Sequence, residues 1–423
     1  MPLGMWDRQT RRRYLCAVGT VGVAGLAGCG SGNGDTSNGD GGTDTPDPGT
    51  ETEGGQPTAE ESTPDDPDDG GAGSATDVPM LGYDPARTSA PPGATGPTEP
   101  VVERWQTELD GQLVSSPAVV DGTVYIGGSD QEVRALDADG ATEAWSLGTD
   151  GEVRSTPAVV GGTVYVGSDG GNVYAIDAAD GTETWAFETS DRIRSSPAVV
   201  DGTVYVGGDD GNVYAIDAAD GTDEWRFEVG LAVRSSPAVA DGTVYVGSRS
   251  RRVHAIDSAT GEQRWAVRVD GTVTSAPTVA DGTVYVGTDS GSVTALETGD
   301  GAEAWSRSLG EDVAASPAIA EGRLYACDVN GRIVSLDAET GERGWSTEIP
   351  GPITTAPAVA SGTVYVGNQG SRVHALATDD GRRRWAHELD GAVRSTPAVV
   401  GGTVYVGSFD GSVYALEAEA EAA

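Results

Sequence analysis

The chain has 423 residues, 63 of them glycine, and a formal net charge of −40 at pH 7; all 26 of its basic residues are arginine. A polyanion of this strength excludes duplex nucleic acid, itself a polyanion, as a partner. Three cysteines exclude a disulfide framework.

Near the start of the chain, Thr10-Arg11-Arg12-Arg13-Tyr14-Leu15 resembles a twin-arginine export signal built on Arg11 and Arg12. An apolar stretch from Leu15 to Ala27 follows, too short and glycine-rich for a membrane span. It ends in Leu26-Ala27-Gly28-Cys29, which resembles a lipobox, so residues 1–28 are expected to be removed and Cys29 to carry lipid. From residue 30 to residue 79 there is no aromatic and no basic side chain. Such a segment cannot bury enough surface to offset its ordering entropy, so 29–79 is expected to be a disordered acidic tether. A coil of that length spans roughly 40 Å, enough to hold a domain off a membrane. A short lead-in, residues 80–100, precedes the rest.

From Trp105 onward the chain repeats every 40 residues. Trp105, Trp145, Trp185, Trp225, Trp265, Trp305, Trp345 and Trp385 keep that interval, as do eight tyrosines from Tyr125 to Tyr405 and eight prolines from Pro117 to Pro397. One unit, 191–230, contains the runs IRSSPAVV, TVYVGG, NVYAIDA and DEWRFEV, the last three each following an Asp-Gly pair. Asp-Gly supplies positive-φ turns, and Val, Tyr, Ile and Trp favour strands, so each repeat reads as four antiparallel strands. The near-continuous apolar run Val204-Tyr205-Val206 suits a strand covered on both faces. Sheets stacked on copies of themselves around a ring form an all-β propeller. Pro197 fits an innermost edge strand, where no ladder donor is needed.

Eight copies of the first three strands occur, but the last stops at Glu417 without a tryptophan strand. The spare strand at Val102–Glu108 is expected to complete it, giving an eight-bladed β-propeller over 101–423 closed by the Trp105 strand, with no orphan edge.

The segment Ala255-Ile256-Asp257-Ser258-Ala259-Thr260-Gly261-Glu262-Gln263-Arg264-Trp265 resembles the A-x-D-x-x-T-G-x-x-x-W motif of pyrroloquinoline quinone (PQQ)-type propellers, and Ser335 to Trp345 is close to it. Met80 to Thr88 is similar to the lead-in that often precedes such propellers. The resemblance implies that the eight repeat tryptophans dock each blade on its neighbour. It also implies one of two functions, since the family includes quinoprotein dehydrogenases and non-catalytic envelope lipoproteins; fold alone does not choose.

Residues 101–423 hold 50 acidic and 21 basic side chains, so the propeller itself is strongly anionic. Salt near 1 M shortens the Debye length to about 3 Å and makes such charge tolerable. With the export signal and lipobox, the composition resembles an exported lipoprotein of a halophilic archaeon. Cys327 stands where the other blades have glycine and is expected to be a buried structural thiol. His254 and His374 occupy a position used by Tyr in other blades and read as packing residues; no metal site is expected. Loops such as Asp209-Asp210-Gly211-Asn212 lack the closing Glu of an EF-hand and read as turns.

In a repeat protein, departures from the repeat carry the information. Entering the first strand, successive blades read Val114, Arg154, Arg194, Arg234, Thr274, Ala314, Thr354 and Arg394. Four arginines near one channel mouth form a candidate site for carboxylate or phosphate. On the same face, Ser248-Arg249-Ser250-Arg251-Arg252 replaces the usual acidic-glycine turn. The blades are nearly identical, their loops short, and no catalytic group set converges, which favours a non-catalytic, lipid-anchored binding or scaffold propeller on the cell surface. Its expected partners are the membrane, through the lipid, and an envelope protein or anionic ligand. Two alternatives stay open: a PQQ-dependent dehydrogenase using PQQ with Ca²⁺, and recognition of an anionic glycan or polypeptide by the mouth arginines. The adjacent-cysteine pair and long inserted loops of many alcohol-oxidising members are missing, so no cofactor is expected.

Overall fold

A computed structural model of the protein describes residues 77–91 and 93–420; the expected signal, Cys29 and nearly all of the expected tether lie outside them. Among the described residues, eight four-stranded antiparallel sheets follow one another along the chain. Blade one consists of Ala118–Val120, Thr123–Gly127, Glu132–Asp137 and Glu143–Gly148, in that order from the axis outward. Blades two to seven repeat the pattern. In the eighth sheet Val101–Glu108 lies outermost, antiparallel to Ser412–Ala418, with Val101 opposite Ala418 and Glu108 opposite Ser412. Each innermost strand abuts those of both neighbouring blades, round to blades one and eight.

Burial explains the sequence pattern strand by strand. The second strand of blade three, Thr203–Gly207, is buried at every residue, while the fourth, Asp223–Glu228, alternates between exposed and half-buried. Central strands are sandwiched between two blades and so read as continuous apolar runs. Each core spans a blade boundary: Val173 and Trp185 of blade two pack with Val204, Val206, Tyr214 and Ile216 of blade three. The first strand is shorter than the sequence run suggested. Only Ala198–Val200 pairs as strand in blade three, because Pro197 has no N–H to donate.

The repeat tryptophans clamp neighbouring blades together. Trp145 Nε1 donates to the Ala178 carbonyl of the next blade at 2.9 Å, and six further repeat tryptophans do the same 33 residues on. The indole face lies against the glycine of the next blade's outer turn. A Cβ at Gly181 would come within 2.7 Å of Trp145, and Gly181 has φ +76°, so both space and backbone require glycine there. Each tryptophan also meets a repeat tyrosine with ring centroids 5.8–5.9 Å apart. The eighth tryptophan differs: Trp385 donates to Pro97 of the lead-in segment at 2.8 Å.

That lead-in segment runs around the lower face of the ring. It meets an inner-strand N–H group in six of the eight blades: Val78 O takes Val119 N–H, Pro79 O takes Val159, Pro85 O takes Val239, Ala86 O takes Val279, Thr88 O takes Ile319 and Ser89 O takes Val359. In these six blades the inner edge is thus paired at one point rather than left open. At its centre Arg87 is almost completely buried. Its guanidinium donates to the carbonyls of Pro237, Ser196 and Pro197 at 3.0 Å and of Leu81 at 2.5 Å. Burial pushes its pKa down to about 10, opposed by the charge of Asp84.

Candidate functional site

Above the lead-in segment the channel wall is a ring of hydroxyls at one repeat position. Thr156 N–H donates to Ser196 Oγ at 2.9 Å, Ser196 N–H to Ser236 Oγ at 2.8 Å, and Thr396 N–H to Ser116 Oγ at 2.8 Å. Ser116, Ala276 and Ala356 N–H donate likewise to Thr156, Ser316 and Thr396. The chain of bonds lacks an acceptor only where Ala276 and Ala356 replace the hydroxyl. Between this ring and Met80, Gly82 and Tyr83 lies a small cavity of about 20 Å³, roughly one water's worth of space.

The upper mouth is formed by the blade-to-blade connections and by the loops between second and third strands. The structure brings Arg154, Arg194 and Arg234 together, but in alternation with carboxylates. Arg154 Nε lies 3.3 Å from Asp169; Arg194 reaches the same carboxylate at 2.9 Å and 2.8 Å, with Asp209 4.0 Å away; Arg234 grips Asp209 at 2.7 Å and 2.9 Å. Arg154 is also bonded to Glu152. Burial would raise the Asp169 carboxyl, yet the Arg194 hydrogen bond and the charges of Arg194, Arg154 and Arg192 hold it below the usual carboxylate range. Three of the arginines therefore form an ionic ladder with their neighbours rather than a bare positive arc. Arg394 stands apart across blade one. Its guanidinium sits 4.4 Å over the Phe409 ring, with Gln369 at 3.5 Å.

In blade four, Arg249 and Arg252 are exposed, and Arg251 donates to the Asp270 backbone carbonyl. No ion pair joins any of the three to a carboxylate among the described residues. His254 and His374 are buried, His254 against the Phe227 ring and His374 beside Asn368. Cys327 is fully buried within the cluster that contains Ile353, and burial pushes its thiol up, with Asp328 adding to the effect. Sequence reasoning passed over Arg87, Arg268 and Leu231. The last two were visible as departures, since Arg268 replaces a position held by Glu188, Glu228, Glu348 and Glu388. Arg87 had no repeat partner against which to stand out.

Comparison with known families places two propeller models on the chain. One described as outer membrane protein assembly factor BamB matches residues 102–157 and 329–421. One described as beta-alanine-activating enzyme, beta-propeller, matches residues 162–363. No curated protein matches the sequence. Among solved structures, BamB from Moraxella catarrhalis is similar at 20% identity and TM-score 0.66, covering 75% of this chain and 100% of that one. The quinohemoprotein alcohol dehydrogenase from Comamonas testosteroni is similar at 17% and 0.68, covering 82% of each chain. A europium-containing methanol dehydrogenase is similar at 15% and 0.72, covering 82% of this chain and 99% of its own. At these identities the likeness is one of fold. Together with these likenesses, the eight four-stranded blades identify the fold as an eight-bladed β-propeller, with similarity to BamB-type repeats over residues 102–157 and 329–421.

Proposed function

We propose that the protein is a non-catalytic binding propeller, exported and held by lipid on Cys29 to the outer face of the cytoplasmic membrane, with its upper mouth presented to an envelope partner. The observation that carries this reading is the division of the two faces. The lower mouth is occupied by the chain's own lead-in segment around Arg87. The upper mouth has short loops whose charged groups are largely taken up by one another, as Arg194 and Arg234 are by Asp169 and Asp209.

A dehydrogenase would need a place for PQQ, which carries three carboxylates, and for its calcium ion. Among the described residues no group of three or more His, Cys, Asp or Glu side chains is placed to hold a metal. Of the mouth arginines, Arg154, Arg194 and Arg234 already hold protein carboxylates. These observations support the non-catalytic reading over a PQQ site. Membrane attachment is assigned to the lipid; among the described residues no helix is long and apolar enough to cross a membrane.

The test is to titrate purified protein with PQQ and Ca²⁺ and to assay dye-linked oxidation of alcohols and sugars. No turnover is expected; sustained PQQ-dependent turnover would refute the non-catalytic reading. Mass analysis of protein extracted from its native membranes should show a diacylated N-terminal Cys29, and an unmodified N-terminus would remove the anchor.

A further inference from the structure

Blade four breaks the charge pattern of the ring in three independent places, all on the upper face. The first is the ionic ladder. In blade two Arg154 contacts the loop residue of its own blade, Asp169. The equivalent contacts recur as Gln369 with Thr354 at 3.4 Å and Phe409 with Arg394. In blade four the pair is Arg234 and Arg249. The loop holds the same position as elsewhere: Arg249 N–H bonds Ala232 O, as Asp209 N–H bonds Arg192 O. The alternation of Arg154, Asp169, Arg194, Asp209 and Arg234 therefore ends on a cation where its next carboxylate belongs.

The second place is the top of the outer strands. Arg252 lies directly opposite Arg268. The matching pairs are Asn172 with Glu188, Asn212 with Glu228, and the ion pairs Arg332–Glu348 at 3.5 Å and Arg372–Glu388 at 2.6 Å. Like charges directly opposite in a sheet are destabilising. The third place is Arg251, held at φ +63° where five other blades have glycine, with its buried Nε unpartnered. The nearby Asp270 carboxylate does not relieve these charges, since it accepts from Thr288 and Ser292 of blade five. Beside the cluster, Leu231 is 53% exposed, one of two large exposed hydrophobics among the described residues. Most of its counterparts are glycine, including Gly151, Gly271, Gly351 and Gly391.

We propose that the upper edge of blade four binds an extended acidic polypeptide segment carrying an apolar side chain. This rests on the binding reading above and names its partner. One ligand carboxylate continues the ladder between Arg234 and Arg249, another bridges Arg252 and Arg268, and the apolar side chain covers Leu231. The span from innermost to outermost strand is about 14 Å, three strand spacings, which an extended chain covers in about four residues. Guanidinium groups pair carboxylates bidentately, and a stripe of them in an otherwise anionic protein guides an acidic chain to one place. A polyuronate offers carboxylates too, but no aliphatic group for Leu231.

The test measures fluorescence anisotropy of a labelled Glu-Leu-Glu-Glu-Leu-Glu peptide with the full chain at fixed high salt. Its Gln-for-Glu analogue is the control. The variant combines Arg249→Asp, Arg252→Asn and Arg268→Glu, the residues blade three carries at these positions, so the fold has already accommodated them once. The parent is expected to bind the acidic peptide and not the analogue. The triple variant should bind about tenfold or more weakly while its thermal midpoint rises, because like charge no longer faces like charge at 252 and 268. Leu231→Gly should weaken binding a few-fold. Unchanged affinity in the triple variant, or equal binding of the Gln analogue, would overturn the proposal. So would preferential binding of oligogalacturonate that is indifferent to Leu231→Gly, which would make the occupant a glycan. PQQ-dependent turnover would remove the non-catalytic reading but leave these binding results standing.

Discussion

Replacing Arg87 by alanine tests whether the lead-in segment is a structural part of the ring. The guanidinium gives its hydrogen bonds to four carbonyls, those of Leu81, Ser196, Pro197 and Pro237, in a site almost closed to solvent. Each buried acceptor left without a donor costs about 1–3 kcal/mol. The loss is offset in part by ending the desolvation of the charge and by water entering the space left. A net cost of about 3–5 kcal/mol follows from the unmet acceptors after these offsets. Three non-glycine residues of the segment, Tyr83, Arg87 and Ser89, also hold positive φ, a strain that persists only while surrounding contacts dictate it. With unfolding entropy proportional to chain length, the propeller should melt about 4–7 °C lower in the variant. Calorimetry reads that shift, and hydrogen exchange at the Val239 and Val279 amides reads the release of the segment. Arg87→Lys should fall between parent and alanine, since an ammonium keeps the charge but not the planar fork. A midpoint within about 1 °C of the parent, with those amides still protected, would show that Arg87 fills space and does no more.

Burial, with Arg383 and Arg372 contributing, holds His374 down to about pKa 4, so the folded form keeps it neutral while an unfolded chain takes up a proton near 6.5. The unfolded state binds more protons in that window, so stability is full above about pH 6.5 and is lost as pH falls towards 4, by roughly 3 kcal/mol. His374→Tyr, the residue at the same place in blade three, should flatten the midpoint-against-pH curve between pH 4 and 6.5, and an unaltered slope would refute the cause. The buried Cys327 thiol should resist alkylation in the folded protein and react only on unfolding, as read by peptide mass mapping; rapid native labelling would contradict its burial. Circular dichroism should show loss of strand structure when salt falls below about 0.5 M, because unscreened repulsion then acts across the anionic propeller. A spectrum unchanged by desalting would count against a salt-dependent fold.

The architecture was legible because its determinants are local and repeated eight times. Asp-Gly turns, the Val-Tyr-Val runs and the 40-residue tryptophan interval each state the same strand order, and the sheets follow it. The tryptophan clamp was legible as well, since its glycine partner lies in the same motif one blade on. The mouth was legible only in part. The spacing placed Arg154, Arg194 and Arg234 in one neighbourhood, but a one-dimensional pattern does not show which side chain meets which. Asp209 read as a turn residue until the ring brought it, like Asp169, beside an arginine 25 positions along the chain.

What the amino-acid order determined by itself is therefore the blade and the number of blades, since strand, turn and period are properties of short windows. What only the tertiary structure decided is how charges and edges are shared between blades. The lead-in segment satisfies inner-strand donors up to 270 residues away, Arg87 turns inward to carbonyls of blades three and four, and blade four alone sets arginine against arginine. Closing a ring makes neighbours of distant residues, and the energy of a buried or paired charge depends on those neighbours rather than on the residues beside it in the chain.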